Sequence, residues 1–278
     1  MPRTSSPIGA PGGLPGAATD APVDPGWQPW LELLEIALDA ASDAAWAVVV
    51  PSPVERPAEA PLLHGAIVRL DARRAGKLTQ RLARAAGIPA AGELDPGETI
   101  RAAMVRDDRA ITGMAEQIGV SSDALAVVGQ MAAMPVLHAA ARAASASALR
   151  EWQRGYCPVC GAWPSLVEMR GIEHERRLRC GCCGADWLLP ILRCGFCGEL
   201  DHHRLGSLLP EGAEQYRRVE TCEHCHGYLK AVTTLRALSP RSLAVQDLAT
   251  VPLDLAAQER GYARPSRPAW ALVVEVVA

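Results

Sequence analysis

The sequence has few lysines, no uninterrupted apolar run of 18 residues and no cysteine outside one window of its 278 residues. Lys77 and Lys230 are the only lysines and the net charge is −3, which is not the profile of a nucleic-acid domain with a concentrated basic face. The apolar runs are too short to predict a membrane span. The N-terminus lacks the apolar segment of a secretory signal, so no such signal is expected.

The common catalytic motifs are absent as well. There is no P-loop, no G-x-S-x-G and no H-E-x-x-H, and no G-x-G-x-x-G follows a predicted strand. The acidic residues Glu173, Glu175, Asp247, Asp254 and Glu259 show no distinctive spacing. We therefore predict that the protein is not an enzyme.

All nine cysteines lie between residues 157 and 225, and eight of them form four C-x-x-C pairs. Two intervening residues allow the backbone to fold into a tight knuckle with both sulfurs on one side. Zinc and iron each take four thiolates in a tetrahedral site. Four pairs therefore predict two metal sites, with the ligands Cys157, Cys160, Cys180, Cys183, Cys194, Cys197, Cys222 and Cys225.

The residue after each pair and the gaps between pairs predict how the knuckles fold and how the pairs combine. Glycine follows the second cysteine in three pairs, at Gly161, Gly184 and Gly198, and His226 takes this place in the fourth. Glycine adopts positive φ readily and other residues do so rarely, and this conformation turns backbone N–H groups towards the sulfurs. Gaps of 19 residues between the first two pairs and 24 between the last two favour consecutive pairing. A cross-brace and a nested arrangement stay open as alternatives.

Disulfides and a thioredoxin-like redox pair are alternative uses of these cysteines. Disulfides suit small secreted scaffolds, whereas this chain is long and has no predicted signal. One C-x-x-C before a helix is typical of a redox pair, but four in succession are typical of metal binding. Cys182, inside the second knuckle, is the odd thiol; we interpret it as a bystander, with a redox role as the alternative.

Composition and periodicity divide the chain into four parts. Residues 1–25, rich in Gly, Pro, Ala and Ser, are predicted to be disordered, and residues 26–152 show helical spacing of apolar side chains. Residues 153–190 and residues 191–278 each contain two C-x-x-C pairs, and the second part ends in a helix and a tail. The predicted fold class is α+β: a helical N-terminal domain followed by two small rubredoxin-like or zinc-ribbon-like metal-binding modules.

Local patterns predict individual elements. Leu63, Ile67 and Leu70 follow helical spacing, and a long helix is predicted to begin after Ser121 and to kink or break at Pro135. The C-terminal part is predicted to contain a strand, a helix and a final strand, over Ala231–Leu235, Asp247–Arg260 and Trp270–Val277.

Several short stretches in and after the cysteine window resemble one family. Gly-Tyr-Leu-Lys, Asp-Leu-Ala-Thr and Gly-Tyr-Ala-Arg follow the cysteine pairs in this order, which ribbon cysteines alone would not bring. The stretches are Tyr156–Gly161, Leu178–Trp187, Arg193–Gly198, Glu220–Lys230, Asp247–Thr250 and Gly261–Arg264. Over roughly residues 155–270 the chain resembles the FdhE family of formate dehydrogenase accessory proteins.

The resemblance implies a cytoplasmic maturation factor without metabolic chemistry of its own. Its implied partner is the catalytic subunit of a respiratory formate dehydrogenase, bound before export. The eight paired cysteines carry over as ligands for two metal ions, with rubredoxin-like iron favoured and zinc as the alternative. Neither a nucleic-acid partner nor a membrane span is implied, and a homodimer is left open.

Two other functional hypotheses remain. A zinc ribbon that binds nucleic acid would use the basic cluster of the metal window, formed by Arg176, Arg177, Arg179, His202, His203 and Arg204. A rubredoxin-like electron carrier would use the cysteines themselves, because four thiolates accept iron as well as zinc.

Overall fold

The fold combines a helical half with two β-sheets. This computed structural model describes residues 23–43, 46–50, 56–89, 93–144, 146–210, 216–266 and 269–277. Helices and sheets together confirm the α+β class. The disorder predicted for residues 1–25 falls, up to residue 22, outside the described residues.

The described helices are α1 (Gln28–Ser42), α2 (Ala72–Ala85), α3 (Pro96–Val105), α4 (Asp108–Ile118), α5 (Ser122–Ala143), α6 (Ala146–Glu151), α7 (Pro240–Ala249) and α8 (Val251–Glu259). Aspartates begin three of them: the side chains of Asp71, Asp95 and Asp107 accept hydrogen bonds from backbone N–H groups of the first turn. Gly119 ends α4 in the left-handed conformation that its position predicts.

The described strands are β1 (Ala47–Val50), β2 (Ala66–Leu70), β3 (Leu166–Arg170), β4 (Glu175–Arg179), β5 (Asp186–Leu188), β6 (Leu205–Leu208), β7 (Arg217–Cys222), β8 (Tyr228–Thr234) and β9 (Val274–Val277). The strands predicted at Ala231–Leu235 and in the C-terminal tail are therefore confirmed, as β8 and β9. The helix predicted at Asp247–Arg260 forms as α7 and α8, because Pro252 in the first turn of α8 favours a new helix start.

Helix α5 is the centre of the helical half and packs against α1, α2, α3 and α4. It continues through Pro135 without a break, because the residues around the proline are buried on every side and hold the helix together. Among the described helices, α5 alone has the length and composition to cross a membrane. However, 67% of that segment is buried within the molecule, so it is weak evidence for a span.

A three-stranded sheet joins the two ends of the described chain. β2 lies in the middle, antiparallel to β1 and parallel to β9, with Ala66 opposite Val274. The helix predicted from the spacing of Leu63, Ile67 and Leu70 is therefore wrong for Ala66–Leu70, which form β2. Ala66, Val68 and Leu70 are buried in alternation, as a strand requires, and the partner strand β9 comes from a distant part of the sequence that local periodicity cannot see.

The six-stranded sheet has the order β5-β4-β3-β8-β7-β6, and the four knuckles lie in turns before or between its strands. Each half is a meander of three antiparallel strands, β3-β4-β5 in the first module and β6-β7-β8 in the second. The modules join where β3 and β8 pair in parallel, with Val167 opposite Ala231. Two tandem copies of one unit thus share a single sheet. The rubredoxin-like character of each module stays a prediction.

One hydrophobic cluster extends from the helices into the first module. It includes Leu125 and Val136 of α5 together with Val159, Leu178 and Trp187, all of them fully buried. A common hydrophobic core therefore crosses the domain boundary that the composition predicts near residue 152.

Candidate metal centres

The first cluster of thiols, called site one, lies where the helical half meets the sheet. It consists of Cys157, Cys160, Cys180 and Cys183, all buried, with their Sγ atoms within 4.8 Å of one another. The Sγ–Sγ distance is 3.5 Å both between Cys157 and Cys183 and between Cys160 and Cys180.

The second cluster, called site two, lies near the far end of the same sheet. Cys194, Cys197, Cys222 and Cys225 place their Sγ atoms within the same 4.8 Å limit. The distance is 3.7 Å between Cys194 and Cys225 and 3.8 Å between Cys197 and Cys222. Cys197 and Cys225 are exposed, so one side of site two faces solvent, in contrast to site one.

Both clusters have the dimensions of a four-thiolate metal site. A tetrahedron with metal–sulfur bonds of about 2.3 Å has sulfur–sulfur edges of about 3.8 Å. All nine cysteines are free thiols. Each cluster could therefore hold one metal ion, and the cysteines are grouped as consecutive pairing predicts. Ligation itself stays a prediction.

The four knuckles have the backbone that their sequences predict. The φ angles of Gly161, Gly184 and Gly198 are 69°, 73° and 77°, and His226 adopts 52° in the fourth knuckle. Backbone N–H groups point at the sulfurs, as from Val159 to Cys157 Sγ at 3.4 Å. Such bonds stabilise a thiolate, so the turns are arranged to hold negatively charged sulfur.

Site one is built into the helical half through both of its knuckles. The backbone N–H groups of Leu62 and Leu63 donate to the carbonyls of Pro158 and Val159, at 2.7 and 3.0 Å. At the other knuckle a Cβ on Gly184 would lie only 2.9 Å from the imidazole of His138 on α5. The packing on both sides makes site one the joint between the two parts of the molecule.

Two of the four thiols of site two resist ionisation, whereas burial would raise the pKa of Cys222 but hydrogen bonds from the backbone N–H groups of Cys225 and His224 lower it. Burial raises the pKa of Cys194 to about 11 and also raises that of Cys225 above its usual range. Neighbouring thiolates repel each other at these separations, which opposes ionisation further. A bound metal reverses this balance, so its binding should release protons.

A cavity of about 200 Å³ lies beside site one. Cys182 lines this cavity together with Cys160, Cys180 and His138. The unpaired ninth cysteine therefore lies next to the thiols of site one. Burial lowers the pKa of His138 to about 4, so the ring is neutral at physiological pH, and its Nε2 has no partner among the described residues. Sequence reasoning did not single out this histidine, because one imidazole on an apolar helix has no distinguishing pattern.

The basic cluster suggested for nucleic acid is divided in the structure into three arginines in ion pairs within the sheet and three exposed residues, His202, His203 and Arg204. Arg176 is buried and its Nη2 lies 2.7 Å from Glu220 Oε2, while Arg179 is buried and paired with Glu168. Arg177 is half-buried against Asp186. These three guanidinium groups hold strands together, whereas His202, His203 and Arg204 are exposed.

Comparison with known proteins gives one consistent result. The family model for FdhE, C-terminal domain, matches residues 192–269. The FdhE homolog of Aquifex aeolicus is 35% identical over 122 residues, covering 42% of this chain and 41% of that protein. Protein FdhE of Escherichia coli K12 is 35% identical over 117 residues, covering 41% and 37%.

The chain is similar to the FdhE family. The crystal structure of the FdhE protein from Pseudomonas aeruginosa shares the fold, with a TM-score of 0.59 and 22% identity over 87% of each chain. The sequence matches span about two fifths of the length of the curated relatives. The resemblance seen in the sequence is thus confirmed, while activity and partners remain matters for proposal.

The short FdhE-like stretches after the cysteines converge in space. Lys230, whose side chain is 2% exposed, places Nζ 2.8 Å from Asp247 and 2.6 Å from Asp254. The hydroxyl of Tyr228 donates to Asp254 at 2.9 Å, and the guanidinium of Arg264 lies over the Tyr228 ring. The stretches therefore fasten α7 and α8 onto the sheet. The sequence did not identify Asp254 as a site residue, because its partner Lys230 lies 24 residues away.

Metal content tests the ligand assignment directly. Anaerobically purified protein is expected to contain about two metal ions per chain, each with sulfur neighbours only, at about 2.3 Å. Elemental analysis and X-ray absorption measure these quantities. Visible absorption identifies the metal, because ferric thiolate sites are coloured and d¹⁰ zinc is not. One ion or none per chain would contradict the assignment.

Proposed function

We propose that this chain is a cytoplasmic accessory protein in the maturation of a respiratory formate dehydrogenase, and that it binds the catalytic subunit before export. The observation that supports this most directly is the similarity to FdhE, whose C-terminal family model covers residues 192–269 with site two, together with the presence of two four-cysteine clusters. Four thiolates leave a bound metal without an open coordination position, so substrate chemistry at the clusters is not expected.

The two clusters have different tasks in this proposal. The thiols of site one would hold a metal that fastens the sheet to the helical half. The thiols of site two would hold a second metal at the surface, where a partner can approach Cys197 and Cys225. Iron is the favoured metal at both sites; when bound it would supply one-electron redox capacity, whereas zinc would supply only a cross-link.

A rubredoxin-like electron carrier is a second candidate, favoured by the exposure of site two. Electron transfer requires a centre near the surface, and two of the four thiols of site two are exposed. A reversible reduction potential together with turnover of a small electron donor would support this function. Zinc in both sites would exclude it.

Capture of the client tests the maturation role. The tagged full-length chain is expected to co-purify with the formate dehydrogenase catalytic subunit from cells blocked in export. A deletion strain is expected to synthesise the enzyme normally but to lose formate-dependent respiration. Normal formate oxidation in the deletion strain, with no capture of the subunit, would exclude the maturation role.

A further inference from the structure

The two edge strands of the six-stranded sheet differ in what packs against their outer sides. Helix α6 packs against β5 at one edge. At the other edge β6 pairs with β7 on its inner side and with no described strand on its outer side. Gly206 and Ser207 in the middle of β6 are exposed, and the strand Leu-Gly-Ser-Leu contains neither the charge nor the proline that usually protects an edge.

The tandem repeat shows what such an edge accepts. In the first module, β3 is the first strand of its meander, and its outer side is paired in parallel by β8. In the second module, β6 occupies the same position as β3. Its outer side therefore corresponds to a place that is filled by a parallel strand in the other copy.

A groove runs from this edge across the sheet towards site two. It has a volume of about 240 Å³ and is lined by Leu205, Gly206 and Ser207 of β6 and by Ile191, Leu192 and Phe196 from the chain around the first knuckle of site two. Ile191 is 56% exposed and Leu192 is 60% exposed. Two adjacent, exposed aliphatic side chains therefore lie beside a strand edge that can accept a further strand.

The charge of the groove restricts what can occupy it. Three guanidinium groups line it, from Arg176, Arg193 and Arg218, against the single carboxylate of Glu220. Arg176 and Arg218 both pair with Glu220, and Arg193 forms no ion pair with a described residue. The excess of positive charge favours a segment that carries carboxylates and disfavours a basic one.

We propose that the outer edge of β6 and this groove form the docking site for an extended, acidic peptide segment that adds to the sheet as a parallel strand. An aliphatic side chain of the segment fills the groove between Leu192 and Phe196, and a flanking carboxylate pairs with Arg193. Main-chain hydrogen bonds to β6 supply affinity, and the groove supplies selectivity. The identification of the segment as part of the dehydrogenase subunit rests on the proposed function.

Synthetic peptides test the chemistry without the client. The metal-loaded full chain is titrated with fluorescein-labelled Glu-Val-Leu-Val-Glu amide, with its Lys-Val-Leu-Val-Lys counterpart, and with acidic peptides N-methylated at alternate residues. The acidic peptide is expected to bind about tenfold more tightly than the basic one, and added salt should weaken it. N-methylation of the residues that face β6 should abolish binding. Equal anisotropy curves for all these peptides would overturn the proposal.

Protein variants locate the site and separate it from the client question. Arg193→Glu and Leu192→Asp are expected to weaken acidic-peptide binding and subunit capture about tenfold. Ile172→Asp replaces another exposed aliphatic side chain, 86% exposed in the β3–β4 turn, and should change neither. Metal content and melting temperature are measured for each variant, so that a folding defect is recognised.

The outcomes distinguish the two proposals. Capture of the subunit by the wild type and by both groove variants alike would overturn the docking site and leave the maturation role standing. Peptide binding with the predicted variant pattern, but without subunit capture, would leave the docking site and remove the dehydrogenase subunit as its occupant.

Discussion

Replacing Cys157 by serine is expected to unfold the helical half together with site one. The bound metal of a structural four-cysteine site contributes about 10–16 kcal/mol, which is as large as the roughly 5–15 kcal/mol stability of a typical domain. Cys157 belongs to the same core as α5, and the loop before β2 bonds to its knuckle. Loss of the site-one metal should therefore spread into the helices, with loss of most far-ultraviolet circular dichroism at 25 °C.

Two other cysteine variants complete this experiment. Cys225→Ser should lose the site-two metal but retain the helical signal, because its knuckle is exposed and lies away from the helical half. Cys182→Ser changes a thiol in a site-one knuckle that is not a predicted ligand, so it should retain both metals. Limited proteolysis should cut throughout the Cys157→Ser chain and only within the second module of Cys225→Ser. An intact helical half in Cys157→Ser would show that the shared core does not depend on site one.

Removal of the Glu168 carboxylate is expected to cost about 3–5 kcal/mol, because it leaves the buried guanidinium of Arg179 without its partner. The Glu168 side chain is fully buried. It also pairs with Arg170 at 2.8 Å and accepts hydrogen bonds from Thr234 Oγ1 and the Leu238 backbone, both at 2.9 Å. Denaturant unfolding of Glu168→Ala measures the loss. Glu173→Ala, at an exposed glutamate in the next turn, should stay within about 0.5 kcal/mol of wild type.

The same carboxylate predicts how stability depends on pH. Burial alone would raise the pKa of Glu168, but the bonds from Arg170 and Arg179 outweigh it and hold the pKa below the ordinary value of 4.5. A lowered native pKa means that the stabilisation is fully present above pH 4.5 and is lost as the pH falls towards the native value. Wild type should therefore lose stability steeply in acid and Glu168→Ala less so. Parallel acid curves would contradict this assignment.

The sequence was informative where the chemistry is local. A C-x-x-C-Gly knuckle contains its ligands, its turn and its positive φ within five residues, so consecutive pairing could be predicted and the structure groups the thiols accordingly. Because each of these features depends on neighbouring residues alone, one sequence is enough to find it.

Features that depend on distant partners could not be predicted. β2 looks helical in isolation and is a strand because β1 and β9 flank it. The arginines at positions 176 and 179 looked like a basic face because their partners, Glu220 and Glu168, are not neighbours in sequence. The ion pair between Lys230 and Asp254 depends on the contact between β8 and α8, which the local sequence does not indicate. Tertiary contacts decided each case, against local pattern.

The parallel pairing of β2 with β9 constrains when the molecule can finish folding. Roughly 200 residues separate the two strands in sequence. At 5–20 residues per second, a ribosome needs about 10–40 s to make the chain between them. During that interval one edge of β2 has no partner strand, and nascent chains with open edges are prone to pair wrongly or to recruit chaperones. An accessory protein in the proposed maturation role would thus itself depend on protection during its own synthesis.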